Sequence, residues 1–221
     1  MNERMQDRLF AGCGIASVLL QLVGAAIATV GGKTHNLTIS STATHIAHAV
    51  AKPAGTAVWI GAYLELLGVG AFLAFAVWAS VKLGGGLLGA IGQTAAAGYA
   101  TLLASSLAVA AALAHRAGHG ISVQLATTLV TVTEALYVGT WFMTAFFLLA
   151  VGALAVSRAR RALGWSAIGI AIATLAATAI SVETVGQFTV LLSFAWIAFA
   201  SIAIARGERV LGGVGAVAQS A

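Results

Sequence analysis

Six apolar stretches, each near the length needed to cross a bilayer, set the frame for this chain: Leu9–Val30, Val58–Val81, Leu87–Leu113, Ile121–Val156, Leu163–Val182 and Thr189–Ala205. An α-helix rises about 1.5 Å per residue, so about 20 apolar residues span a hydrocarbon layer of about 30 Å. The expected fold is all-α: a polytopic transmembrane bundle of six helices, forming a single transmembrane domain over residues 1–221. Composition agrees, since 60% of the residues are hydrophobic and 8% are charged, against about 25% charged in an average soluble domain. So few charges cannot cover a water-facing surface. A net charge of +5 would point a soluble protein toward nucleic acid. Here a lipid bilayer is the expected partner and nucleic acid is not, because the positions of the charges report orientation.

With the N-terminus in the cytoplasm, Arg4, Arg8, Lys82, Arg158, Arg160, Arg161, Arg206 and Arg209 fall inside, while Lys33, Lys52 and Arg116 fall outside. That asymmetry has the sense of the positive-inside bias, and Ser157-Arg158-Ala159-Arg160-Arg161 is its firmest anchor. Six crossings put both termini in the cytoplasm and make residues 33–57 an extracytoplasmic loop. The Ala- and Gly-rich composition reads as bacterial, which places the chain in the cytoplasmic (inner) membrane. Trp59, Trp78 and Trp165 fall near the ends of predicted helices, where indole favours the headgroup level; Trp141 and Trp196 lie deeper and read as packing residues. Cys13 is the only cysteine, so no internal disulfide can form. Phe10-Ala11-Gly12-Cys13 resembles a lipoprotein cleavage box, but the apolar run follows the cysteine instead of preceding it, so the first run is read as a retained helix. Asn36-Leu37-Thr38 fits the glycosylation pattern and is read as a chance match.

Lipid tails are as apolar as leucine, so helices in a membrane associate through close approach at small residues. Ala104, Ala108 and Ala112, and Gly169, Ala173 and Ala177, recur every fourth residue and predict two smooth packing faces; Phe142, Phe146 and Phe147 are expected to meet lipid or fill gaps. Gly84-Gly85-Gly86 reads as a plain turn, since no Gly-Lys-Ser/Thr follows it. The even-numbered predicted helices share a pattern of a carboxylate, then glycine, then aromatics: Glu65, Gly68, Phe72 and Phe75 in the second; Glu134, Gly139, Phe142 and Phe146 in the fourth; and Glu183 and Gly186 preceding the sixth, then Phe188 and Phe194. Three helical hairpins in tandem would produce this pattern.

The polar residues gather toward the predicted outer side. His35, His45, His48, His115 and His119 lie there, as do Glu65, Glu134 and Glu183. A charge at mid-bilayer costs roughly 2.5–3.5 kcal/mol on insertion scales, so Glu65 and Glu134 should face the protein interior, be protonated, or have partners. Thr127, Thr131 and Glu134 share one helical face and, with Gln21, Tyr63 and Glu65, outline an outward-facing polar crevice. One reading is a proton- or cation-coupled pathway through these groups; a second is a purely structural hydrogen bond between helices. A third is a metal ion or haem held by His45-Ile-Ala-His48 and His115-Arg-Ala-Gly-His119, whose spacings set two imidazoles on one helical face. Gly118 and Gly120 around His119 favour a loop and oppose that pairing. Within the first loop, Thr38–Ala51 predicts a short interfacial helix behind a Ser or Thr cap, ended by Lys52-Pro53, and able to act as a lid.

Arg8-Leu-Phe-Ala-Gly12, Gly61-Ala-Tyr-Leu-Glu65-Leu-Leu-Gly68, and Phe146-Phe-Leu-Leu-Ala-Val-Gly152 through Ser157-Arg158 to Leu163-Gly164 resemble a group of bacterial six-helix membrane proteins classed as a domain of unknown function. That resemblance implies six helices and transfers no catalytic residue; the proline such proteins carry in the last of these loops is missing here. Neither a Gly-x-Ser-x-Gly elbow nor a His-Glu-x-x-His helix is present. The expected role is non-enzymatic, with no catalytic residues: small-solute binding or transport. The alternatives are a redox or metal/haem protein and an assembly subunit, as a homo-oligomer or in a larger membrane complex.

Overall fold

The computed structural model describes residues 3–32, 34, 37–180 and 183–206, and the side chains among them except those of 183–186. His35, Lys33, Asn36, Val182 and Arg209, and the side chains of Glu183 and Gly186, lie outside the described residues. Seven helices and no strand are present among those described: α1 (Glu3–Gly31), α2 (Ala43–Val50), α3 (Thr56–Lys82), α4 (Gly86–Arg116), α5 (Val123–Ser157), α6 (Arg161–Ala179) and α7 (Glu183–Ala205). All but α2 are long and apolar enough to cross a membrane. Each expected apolar run coincides over its described residues with one of these six helices, so the described residues form an all-helical, multi-pass membrane protein.

The helix ends follow from local chemistry. In α3 the Gly84 and Gly85 N–H groups donate back to Val81 (3.1 Å) and Ser80 (2.9 Å), and Gly84 has φ 122°. This is the two-bond closure that a left-handed residue makes at a helix C-terminus. The same pattern ends α5, where Ala159 and Arg160 donate to Val156 (3.1 Å) and Ala155 (2.9 Å). There the left-handed position, φ 60°, holds alanine. A Cβ in that conformation costs about 1–2 kcal/mol, so Ala159→Gly is expected to stabilise the protein by about 1 kcal/mol, seen as a raised unfolding midpoint in detergent. Ser122 caps α5 by accepting from the Leu125 N–H at 3.2 Å.

Within the spans, hydroxyl groups find acceptors on their own helices. Thr94, Thr174, Ser193 and Ser201 donate to the carbonyls four residues back at 2.7–2.9 Å. A hydroxyl in hydrocarbon has no water to bond, and this back-bonding lets Ser and Thr sit in a membrane helix without a partner elsewhere.

The chain divides into two compact units, each drawing on α1, α3, α4 and α5. The first comprises residues 1–18, 71–97 and 141–221. Its core is Phe75, Ala79, Phe147, Leu148, Val151 and Ala155, joined by Leu163, Ala167, Trp196 and Ala200 from α6 and α7. Phe72 and Phe147 meet edge to face, ring centroids 5.2 Å apart. Helices α5 and α6 touch backbone to backbone: a methyl group on Gly152 would lie 2.9 Å from the Gly164 carbonyl oxygen. Trp196 Nε1 donates to the Leu163 carbonyl at 3.1 Å, tying α7 to the start of α6. Trp78 is buried, and its Nε1 donates to Asp7 Oδ1 at 3.0 Å.

The second unit comprises residues 19–70 and 98–140. Short helix α2 forms where the loop was expected to carry one. Thr42 caps it, accepting from the His45 N–H at 3.2 Å. Its apolar face, Ile46 and Val50, packs on Leu113, Ala117, Ala126 and Val130. The Gly118 N–H donates to the Val50 carbonyl at 2.8 Å. Gly118 has φ 75°, and a Cβ there would strike the Pro53 ring, so both conformation and space demand glycine. Emptying the Ile46 site should loosen α2 without unfolding the chain. Ile46→Ala is expected to speed amide hydrogen exchange over residues 43–50 by about tenfold or more.

Two expected packing faces are corrected. Ala108 and Ala112 of α4 are exposed, and its buried residues include Ala95, Ala96, Tyr99, Ala100, Leu103, Ser106, Leu107, Leu113 and Ala114. Gly169 and Ala173 of α6 are exposed, and the buried face is Leu163, Gly164, Ala167, Ala171, Thr174 and Ala177. Small residues do make the contacts, but in another register. The aromatics of the suggested repeat also diverge: Phe72 and Phe75 are buried, whereas Phe142, Phe146 and Phe188 are exposed.

Candidate functional site

The site is built in the second unit, where α1 and α3 cross at glycines. A methyl group on Gly61 would lie 2.7 Å from the Ala28 amide nitrogen, and one on Gly24 would lie 2.7 Å from the Gly61 carbonyl oxygen. Such contact is open only to residues without a side chain, and it holds membrane helices together by close packing. The crossing brings two polar side chains inward. Gln21, one turn before Gly24, is 6% exposed, and Glu65, one turn after Gly61, is 8% exposed. The Glu65 Cγ lies against Gly24, so that glycine also makes room for the carboxyl group.

Helix α4 supplies the third member. The buried Tyr99 hydroxyl donates to Gln21 Oε1. Glu65 and Tyr137 are close enough to Tyr99 to interact with it electrostatically. Glu65 Oε1 is buried and has no hydrogen-bond partner among the described residues. A buried carboxylate without donors is costly, by several kcal/mol if charged. The arrangement can therefore do one thing chemically that a packed apolar helix cannot. It offers an oxygen that becomes satisfied when a proton or a small cation arrives, while the Tyr99 hydroxyl proton is committed to Gln21 Oε1.

The other predicted site residues are placed differently. Tyr63 is 63% exposed and does not join Glu65. The Thr127 and Thr131 hydroxyls donate to the carbonyls of Val123 (2.9 Å) and Thr127 (3.0 Å), so their hydrogens are committed to their own helix. Glu134 is half-buried, and its carboxylate accepts from the Ile39 N–H of the first loop. It anchors that loop rather than standing with Glu65. His45, His48, His115 and His119 are all exposed. The His115 and His119 rings stack with centroids 6.0 Å apart, and His119 Nδ1 is 3.1 Å from the Ala117 carbonyl oxygen. Among the described residues, no three His, Cys, Asp or Glu side chains come together in a way that could hold a metal ion. An open cavity of about 260 Å³ between the end of α1 and the loop is lined by Thr29, Thr34, His48, Lys52 and Pro53, among others, and not by Glu65.

Sequence reasoning missed Tyr99, Gly24 and Gly61. The signal was present: a glycine one turn from a polar residue inside an apolar run, twice, at Gln21–Gly24 and Gly61–Glu65. Comparison with protein-family models, with curated protein sequences and with solved structures finds no match for this chain.

Proposed function

We propose that this is a non-enzymatic multi-pass protein of a bacterial cytoplasmic membrane, with both termini in the cytoplasm, that passes a small solute by loading and unloading a proton or small cation at Glu65. One observation carries the reading: a buried Glu65 carboxyl oxygen with no hydrogen-bond partner among the described residues, in the same unit as a buried tyrosine that spends its hydroxyl proton on Gln21 Oε1. A structural role would appear as a hydrogen bond from Glu65 to a neighbouring helix, and Gln21 and Tyr99 already supply that link between α1 and α4. Charged at this depth, Glu65 would cost a few kcal/mol, which a proton or a cation removes. Ionisable residues within membrane spans mark ion and proton paths for this reason.

Proton and sodium flux are the probes. Proteoliposomes of the whole protein, loaded with a pH- or sodium-sensitive dye and driven by a potassium diffusion potential, are expected to show a flux that falls at least about tenfold in Glu65→Gln, equivalent to about 1.4 kcal/mol on the rate-limiting step. Unchanged flux in that variant would remove Glu65 from the path. The orientation has its own test. In a Cys13→Ser background, a single cysteine at Ser157 should react with an impermeant thiol reagent only after the cells are opened.

A further inference from the structure

The turns at one end of the first unit hold cations of two kinds. Lys82 Nζ is 2.9 Å from Asp7 Oδ1 and is neutralised by it. Arg158, Arg160 and Arg161 have no acidic partner among the described residues. Arg158 and Arg161 are exposed and Arg160 is half-buried. The two turns touch, because the Arg158 guanidinium lies over Gly84, where a Cβ would sit 2.8 Å from Nε. Three arginines without an acidic partner among the described residues therefore share the α5–α6 turn, within a turn of the places where α5 and α6 become wholly apolar, and one of them, Arg158, reaches the α3–α4 turn.

Two exposed apolar groups follow the two turns along the chain. Trp165, one turn beyond Arg161 on the same face of α6, is 61% exposed, and Leu87, in the first turn of α4, is 79% exposed. An indole and an isobutyl group left open in the helical turns that follow these arginines and the Gly84 turn suit a ligand with an anionic head and an apolar body.

We infer that the junction of the α3–α4 and α5–α6 turns is a binding site for the headgroup of an anionic phospholipid, with Arg158, Arg160 and Arg161 on its phosphate and Trp165 and Leu87 against its glycerol and upper acyl chains. Guanidinium forks match phosphate oxygens two at a time, which lysine does not. Indole prefers the headgroup level. Cations near a membrane surface attract anionic lipid at roughly fivefold in affinity per charge. A free phosphate would use the arginines and leave Trp165 and Leu87 bare. The inference needs the membrane-spanning helices and is independent of any role for Glu65.

The test uses the whole protein purified in a neutral detergent, with native mass spectrometry and thermal unfolding as readouts. The probes are dioleoyl-phosphatidylglycerol, dioleoyl-phosphatidylcholine and inorganic phosphate. Phosphatidylglycerol is expected to bind and raise the unfolding midpoint, and the other two are not. Affinity should fall roughly fivefold for each of Arg158→Gln, Arg160→Gln and Arg161→Gln, while the control pair Lys52→Gln and Arg116→Gln leaves it unchanged. Equal effects of the two lipids, an equal effect of phosphate, or full binding by the triple variant would overturn the site. If the triple variant does not fold, wild type against the three probes and the single Arg161→Gln variant still decide the question.

Discussion

Gly61→Val is expected to destabilise the protein by about 3 kcal/mol, with Gly24→Val close behind. At Gly61 a side chain would enter the space of Ala28, backbone nitrogen included; at Gly24 it would meet the Gly61 carbonyl oxygen and the Glu65 side chain. Backbone cannot rotate aside as a side chain can, so relief requires α1 and α3 to separate and give up the contacts that hold them. Apolar burial from water does not compensate, since lipid is as apolar as the helix it would replace. The same helices contain their own controls. Gly12 in α1 and Gly70 in α3 have nothing within 4 Å of a built Cβ, so Gly12→Val and Gly70→Val should stay within about 0.5 kcal/mol of wild type. Unfolding midpoints in detergent for the four variants check this directly. Four equal midpoints would mean that the crossing is not where the helices are held. Gly24→Val should also lower flux, because it displaces Glu65 from its place.

Glu65→Met is expected to have opposite effects on stability and on activity. Methionine matches glutamate in length and keeps the Cγ against Gly24, while removing a buried oxygen that has no partner. An unsatisfied buried polar group costs about 1–3 kcal/mol, so the variant should be more stable by about 1–2 kcal/mol. Flux through the liposomes should fall to background. That pairing is the signature of a residue kept for function at the expense of stability. A structural residue would show the reverse, with stability falling as Glu65 is removed.

The spans were legible because a run of apolar residues of bilayer length has few other folded solutions. The Ser- and Thr-rich stretch and Lys52-Pro53 made a short helix legible within Thr38–Ala51, through a cap and a stop that act within a few residues, but not that Thr42 is the cap and that α2 begins at Ala43. The facing of the long helices was not legible. In water, a helix announces its buried side by putting polar residues on the other; in lipid both sides are apolar, so Ala104, Ala108 and Ala112 look as good a packing face as the true one. The site was half legible. Gln21 and Glu65 stand out as polar residues in apolar runs, but Tyr63 and Tyr99 look alike in sequence, and only the packing sends one outward and the other inward. Thr127 and Thr131 were misleading because a hydroxyl on a helix satisfies itself on the preceding turn.

Dicyclohexylcarbodiimide, a lipid-soluble reagent that modifies protonated carboxyl groups, should react with Glu65 in the reconstituted protein. Peptide mass spectrometry is expected to find one adduct, on Glu65, that is absent from Glu65→Gln and accompanies loss of flux. Adducts on other carboxyl groups with Glu65 untouched, or a modified Glu65 with flux intact, would contradict a path through Glu65.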